Sequence, residues 1–391
     1  MANTLLVTLR SLYSPLRRDV VKLSNTILSQ STRSLYAKAT LGLDTFVQQK
    51  QQIRQQMGNI EEKFKEKMNT FATEDSKNMI FTEDLKNMIY LAEADDDFDL
   101  IIKMMKKFNG QNKQLRFGNF VFGPVVMRLF HIYNKPELAL ECFNSPQLEG
   151  FFDQLITYQI LLDLLYENEK YEEMLRVFET IQSRQLEATK YPRNAVVLAM
   201  AACYKLNSQE SLDYALKLWK QLGDAGHFPM RRATTFCAGL ALNQGKPEAA
   251  MEILAAVRKP NYVTIRNLKV RALSEIGRLD EAIVILKSVI SEDVPGNVPH
   301  TFNRDVMERV KSAVLKMDNP DVSLEFNRLE TLFEKQGHVS NSTLDEQLCA
   351  EIQQPPVMHN RQENRFSRYD PKTRRNQYSD TRQRPGLKDL M

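Results

Sequence analysis

Asp95, Asp96, Asp97 and Asp99 form the densest acidic group in the sequence, the kind of group a metal-dependent nuclease would use. Metal-assisted phosphoryl transfer needs carboxylates converging from separate elements, and no second cluster of this density accompanies them. In the helical register derived below they stand at the start of a helix, where acids stabilise the positive dipole end. Gly239 to Lys246 has the outline of a phosphate loop, but five residues separate its glycines and Pro247 replaces the hydroxyl residue that would hold magnesium. His131, His227, His300, His338 and His359 form no helical ligand pair and are expected as packing or surface residues. Cys142, Cys203, Cys237 and Cys349 are scattered without a Cys-x-x-Cys pair, so they are expected as buried thiols in a reducing compartment. No catalysis, metal or cofactor is expected from this inventory. What remains is positive charge. From Ile253 to Ser274 there is no acid, against Arg258, Lys259, Arg266, Lys269 and Arg271, and Arg231 and Arg232 head the preceding helix. Cations so grouped would hold phosphates and make binding salt-dependent.

Such charges need a scaffold. The chain has 391 residues, 42% of them apolar, with 53 basic against 49 acidic side chains. Fourteen glycines and fifteen prolines are too few for an all-β chain of tight turns. No apolar run approaches the roughly 18 to 20 residues of a membrane span. One pattern recurs instead: an amphipathic helix, a short break, and a second amphipathic helix. The breaks read Asn134-Lys135-Pro136, Glu169-Lys170-Tyr171, Gly245-Lys246-Pro247 and Gly277-Arg278-Leu279. Leu100, Ala139, Met174, Ala215, Ala250, Ala282 and Ser323 mark successive second helices at spacings of 32 to 41 residues. The residue ending each first helix must accept a tight turn, hence Gly or Asn; the acid that follows suits the helix dipole. No single hairpin can bury its apolar stripe, so neighbours must stack, giving an all-α, right-handed α-solenoid of helix-turn-helix repeats.

At this period the tetratricopeptide and pentatricopeptide repeats compete. Thr157-Tyr158-Gln159 resembles the opening of a pentatricopeptide helix, and Gly226-His227-Phe228-Pro229 resembles the link between such repeats. The sequence is therefore identified as a member of the pentatricopeptide repeat family, of animal mitochondrial type. The resemblance is best over 120–296 and is carried mainly by period over 81–119 and 304–337. It implies single-stranded RNA bound along a concave face lined by first helices, with unstacked bases read one per repeat. Carried onto this chain, the base-reading positions fall on Pro124, Gln159, Val197, Thr235 and Asn267. Gln159, Thr235 and Asn267 suit a polar reader; Pro124 and Val197 have no side-chain group for a base edge. Asn267, Arg271 and Ser274 stand at i, i+4 and i+7, a polar stripe on the face expected to be concave. The expected RNA-binding residues are thus Gln159, Arg231, Arg232, Thr235, Arg266, Asn267, Lys269 and Arg271.

The ends differ from the middle. Met1 to Asn59 holds two acids, Asp19 and Asp44, against eight basic residues, and an apolar stripe from Leu5 to Leu23 flanked by arginines. That is the pattern of a mitochondrial import leader, and Arg33-Ser34-Leu35-Tyr36-Ala37 resembles a matrix-protease cleavage neighbourhood. Residues 1–36 are read as the transit peptide, 37–60 as a linker or helix, 61–337 as the solenoid, and 338–391 as a basic, mostly disordered tail. In the tail, arginines with Phe366, Tyr369 and Tyr378 interspersed could contact RNA or protein. The loop 291–303 is expected to bend the solenoid. The resemblance implies a non-catalytic RNA-binding protein of the mitochondrial matrix, acting in maturation, processing or stability of mitochondrial transcripts and supporting respiratory-chain expression. Its expected partners are mitochondrial single-stranded RNA and RNA-processing or ribosomal proteins. The alternative is a protein-binding solenoid scaffold such as a mitochondrial ribosome component, which the unsuited positions Pro124 and Val197 favour.

Overall fold

The computed structural model describes residues 34–352, apart from 74–75, 116–119, 229, 258–261 and 293–300. The expected leader helix, the loop 293–300 and the arginine-rich segment 353–391 lie outside the described residues. The chain is all-α. It opens with α1 (Lys38–Leu41), α2 (Leu43–Met57) and α3 (Glu61–Ala72). Hairpins follow: α4 (Thr82–Leu91) with α5 (Asp95–Leu115), α6 (Gly123–Ile132) with α7 (Pro136–Asn144), and α8 (Leu155–Glu167) with α9 (Tyr171–Arg184). Next come α10 (Arg193–Leu206) with α11 (Gln209–Asp224), α12 (Arg231–Asn243) with α13 (Pro247–Ala255), and α14 (Val263–Ile276) with α15 (Leu279–Glu292). A last hairpin, α16 (Arg304–Met317) with α17 (Pro320–Gln336), precedes the short α18 (Leu344–Leu348). Each first helix from α4 to α16 packs on the next, α4 on α6, α6 on α8 and so on to α16. This is the stack of an α-solenoid.

The turn inside each hairpin explains the period. Between α6 and α7, and then in every hairpin to α17, one residue has positive φ: Asn134, Glu169, Asn207, Gly245, Gly277 and Asp318. A left-handed residue closes the first helix and aims the chain back along it. The expectation of Gly or Asn holds at four of these positions. Glu169 and Asp318 adopt the same conformation, which their neighbours must over-determine because a side chain is strained there. Asp97 closes the other end of this logic. Its Oδ2 accepts from the backbone N–H of Glu93 at 2.9 Å and of Ala94 at 3.1 Å, and from Lys65 Nζ at 2.9 Å. The acidic run thus caps α5, as its place in the register implied.

First and second helices differ in burial. The second helices bury one stripe: in α9, Met174, Val177, Phe178 and Ile181 at i, i+3, i+4 and i+7. Each such side chain contributes about 1.5 to 3 kcal/mol on burial. The first helices are buried nearly all round, without interruption from Thr157 to Tyr166, from Ala195 to Tyr204 and from Ala233 to Leu242. An open solenoid would leave their inner faces wet. Here residues 34–37 and 338–352 pack against them. Ser34 and Tyr36 hydrogen-bond to Asp163 of α8, and Tyr36 forms a parallel bridge with Ile352. The sequence from 338, expected as part of the tail, is folded as far as Ile352. The reason is apolar: Leu344 and Leu348 are buried against the first helices, and α18 packs on α12 and α14. Its approach is held by a two-residue parallel pairing of β1 (Phe302–Asn303) with β2 (Val339–Ser340). Gly239 lets α18 come close, since a Cβ there would sit 3.0 Å from Leu348 Cδ1 and 3.1 Å from Tyr204.

Candidate nucleic-acid interface

The expected reader residues occupy the covered inner face. Asn267 is fully buried. Its Nδ2 donates to the carbonyls of Val263 at 2.9 Å and Thr301 at 3.2 Å, and its Oδ1 accepts from Asn303 N at 2.8 Å. It fastens β1 to α14. Thr235 donates to Arg232 O at 2.9 Å, within its own helix. Gln159 is buried and accepts from Asn194 Nδ2 at 2.7 Å, while its own amide nitrogen finds no hydrogen-bond partner among the described residues. Arg266 and Arg271 are buried too, and Arg271 Nε donates to Glu275 at 2.9 Å. Lys269 is half-buried, and burial lowers its pKa. Pro124 and Val197 are core residues.

The two arginines that head α12 part company. Arg232 turns inward and donates to three carbonyls of the C-terminal segment, Gln347 at 3.3 Å, Leu348 at 2.6 Å and Ala350 at 2.7 Å. Burial, then the charge of Arg231, lowers its pKa. Arg231 stays exposed, with its guanidinium 3.5 Å from the centroid of the Tyr262 ring. Beside this pair opens a cavity of about 500 Å³ whose walls include Tyr36, Asn194, Trp219, Phe228, Arg231 and Tyr262. Phe228 is 68% exposed and Tyr262 42% exposed. Large aromatic faces at the rim of a cavity, with a cation stacked on one of them, suit a planar, anionic guest. Phe228, Trp219 and Tyr262 are not among the expected RNA-binding residues, although Tyr262 immediately precedes the repeat whose reader is Asn267 and so falls on the second base-reading position that the resemblance implies. Phe228 and Tyr262 do stand in the links that precede first helices α12 and α14, which the repeat register makes visible.

A second constellation joins residues that sequence spacing kept apart. Asp163 is fully buried on α8. Its oxygens accept from Ser34 Oγ at 2.8 Å and Tyr36 N at 3.1 Å, and its Oδ2 lies 3.1 Å from His131 Nε2. Glu167, one turn on, is 3.8 Å from the same imidazole nitrogen, and burial raises its pKa. The ligand atoms of His131, Asp163 and Glu167 lie within 4.8 Å of one another, so these three are the residues that could hold a metal among those described. Three short polar contacts already surround the Asp163 carboxylate. The Ser34 hydroxyl, with one proton to give, lies within hydrogen-bond reach of two acceptors, Tyr36 O at 2.7 Å and Asp163 Oδ2 at 2.8 Å. Cys142, Cys203 and Cys237 are buried, with thiol pKa values pushed up to about 12 by that burial.

No family model matches the sequence. Whole proteins do. The chain is 30% identical over 263 residues to the Pongo abelii protein named pentatricopeptide repeat-containing protein 2, mitochondrial, across 66% of this chain and 67% of that one. The chain belongs to the pentatricopeptide repeat-containing protein 2 family. Its similarity to the human protein of that name is 29% over 260 residues, 66% of each chain, and to the Danio rerio protein 29% over 260 residues. The match thus spans about two thirds of the length of these relatives. Among the described residues, segments 34–37 and 338–352 pack on the first helices of this pentatricopeptide repeat solenoid.

Proposed function

We propose that the chain is a non-catalytic RNA-binding protein of the mitochondrial matrix that acts in maturation, processing or stability of mitochondrial transcripts. The observation that carries this reading is the cavity beside Arg231. An unstacked base can lie against the exposed ring of Phe228 while Arg231, held over the Tyr262 ring, meets the phosphate. Membership of a pentatricopeptide repeat family supports RNA as the guest, and the relatives' names together with the basic, acid-poor first residues support the mitochondrion. The expected residues Gln159, Thr235, Arg266, Asn267 and Arg271 then act by shaping the solenoid behind the cavity, and Arg231 is the contact among them.

Binding of the full chain to single-stranded mitochondrial RNA at two salt concentrations tests this. Base stacking is worth about 1 to 3 kcal/mol, so Tyr262→Ala with Phe228→Ala should weaken binding roughly 5- to 150-fold. Arg231→Ala should reduce the salt slope by about 0.7, the value for one single-strand phosphate. Unchanged affinity in both variants would refute the reading. A second reading, a protein-binding scaffold such as a mitochondrial ribosome component, is favoured by one observation: Thr235 and Asn267 already satisfy their hydrogen bonds inside the body. Recovery of ribosomal proteins without RNA crosslinks from intact mitochondria would put that reading first.

A further inference from the structure

Three ligand-type side chains meet where two neighbouring first helices end. His131 lies in the last turn of α6, and Asp163 and Glu167 stand at i and i+4 at the end of α8, on one face. His131 is 6% exposed and Asp163 fully buried, while Glu167 is half-buried. His131 Nε2 is 3.1 Å from Asp163 Oδ2 and 3.8 Å from Glu167 Oε2, and the three ligand atoms fall within 4.8 Å of one another. Zinc bonds of about 2.0 to 2.2 Å to nitrogen and oxygen make a tetrahedron with edges of about 3.3 to 3.6 Å. A modest inward rotation of Glu167 closes such a site. Asp163 is already oriented for it: Tyr36 N–H holds Oδ1 at 3.1 Å, and Oδ2 turns to the imidazole, with Ser34 Oγ 2.8 Å away.

Charge at this place calls for a cation. Among the described residues, the cations that act on the cluster and on Tyr36 beside it are Lys38, exposed on α1, and Arg232, engaged by carbonyls of the C-terminal segment. Two carboxylates against one imidazole leave a negative charge unmatched even when the ring is protonated, and burial penalises that. The carbonyl ends of α6 and α8 add negative potential at the same spot. We propose that His131 Nε2, Asp163 Oδ2 and a Glu167 carboxylate oxygen bind one zinc ion, with water in the fourth position on the Glu167 side. One nitrogen and two carboxylates at tetrahedral spacing suit zinc, whereas calcium and magnesium ask for six or more oxygens. The ion's role is structural: it ties α6 to α8 and, through Asp163 and the Tyr36 N–H, the segment 34–37 to both.

The test needs no RNA, so its outcome is independent of the proposed function. The full chain is stripped of metal with a chelator and titrated with Zn²⁺ at neutral pH. One ion per chain should bind, and the melting temperature should rise with it. Losing a group that merely orients a ligand costs roughly 10- to 100-fold in metal affinity, so Glu167→Gln and His131→Gln, which remove ligands, should each cost more. Glu167→Gln also separates the ion from ordinary packing. Without metal it should melt no lower than the parent, because one of two like charges is gone; with saturating zinc it should melt lower. Co²⁺ in place of zinc should show the visible bands of a tetrahedral nitrogen and oxygen site without sulfur charge transfer, which sets it apart from the four thiols. Failure to bind one zinc ion, sulfur charge transfer, or unchanged affinity in both variants overturns the site. Tighter binding of Mg²⁺ or Ca²⁺ than of Zn²⁺ overturns the choice of metal.

Discussion

Replacing Arg232 by alanine removes a side chain that ties three carbonyls of the C-terminal segment to the inner wall through charge-assisted hydrogen bonds. Two of its three contacts are short, 2.6 Å to Leu348 O and 2.7 Å to Ala350 O, and the third, to Gln347 O, is 3.3 Å. A hydrogen bond to a charged group is worth about 1.5 to 3 kcal/mol net, so the two short ones set a loss of about 3 to 4 kcal/mol once the cost of burying the guanidinium is discounted. At about 1.4 kcal/mol per factor of ten, the segment should open some two to three orders of magnitude more often. Native-state hydrogen exchange reads this directly at the amides of Cys349 and Ile352, which donate to Asp345 O and Leu35 O. Exchange at both should accelerate while amides in the middle of α8 and α10 keep their rates. Arg231→Ala, whose guanidinium lies over Tyr262 instead, should leave both amides unchanged. If Arg232→Ala exchanges like the parent chain, the segment is held by its other contacts, the buried Leu344 and Leu348 and the backbone pairings of 339–340 and 352, and the role given to Arg232 fails.

Asn267→Ala should lower stability by about 2 to 3 kcal/mol, because it leaves the buried Asn303 N–H and Thr301 carbonyl without this partner; chemical denaturation measures it, and a change under about 0.5 kcal/mol would count against the fastening of β1. Gly239→Val adds methyl groups beyond a Cβ that would itself sit 3.0 Å from Leu348 Cδ1, so an overpacking loss of about 1 to 3 kcal/mol and faster exchange at Cys349 are expected. For Asp97, burial raises the pKa, but the N–H groups of Glu93 and Ala94 with Lys65 outweigh it and hold the folded value below the ordinary 3.8. Its contribution is therefore present above pH 3.8 and lost as pH falls through the lower folded value. Asp97→Asn should flatten acid unfolding in that window, and an unchanged acid limb would refute the capping role.

The hairpin register was legible from residue types alone. Asn134, Gly245 and Gly277 announce a left-handed turn, and the stripe Met174, Val177, Phe178 and Ile181 announces a helix with one buried side. These are contacts within a few residues, so local conformational preference decides them. The acidic run Asp95 to Asp99 likewise takes its meaning from the helix start it occupies.

What lines the inner face was a tertiary matter. Asn267 and Thr235 have the chemistry of base readers, yet Asn267 is taken by Thr301 and Asn303 of the strand that packs beside it and Thr235 by Arg232 of its own helix, while residues 34–37 and 338–352 pack on the same face. The clue was present in α8 and α10, which carry apolar residues round most of their circumference and so call for cover on most sides. It named no occupant. Leu35, Leu344 and Leu348 find their places only once the stacked first helices have formed a surface to receive them, and Arg232 chooses the Leu348 carbonyl over solvent for the same reason. Period and turn belong to the local chain; the filling of the hollow belongs to contacts more than a hundred residues apart, as from Arg232 to Ala350.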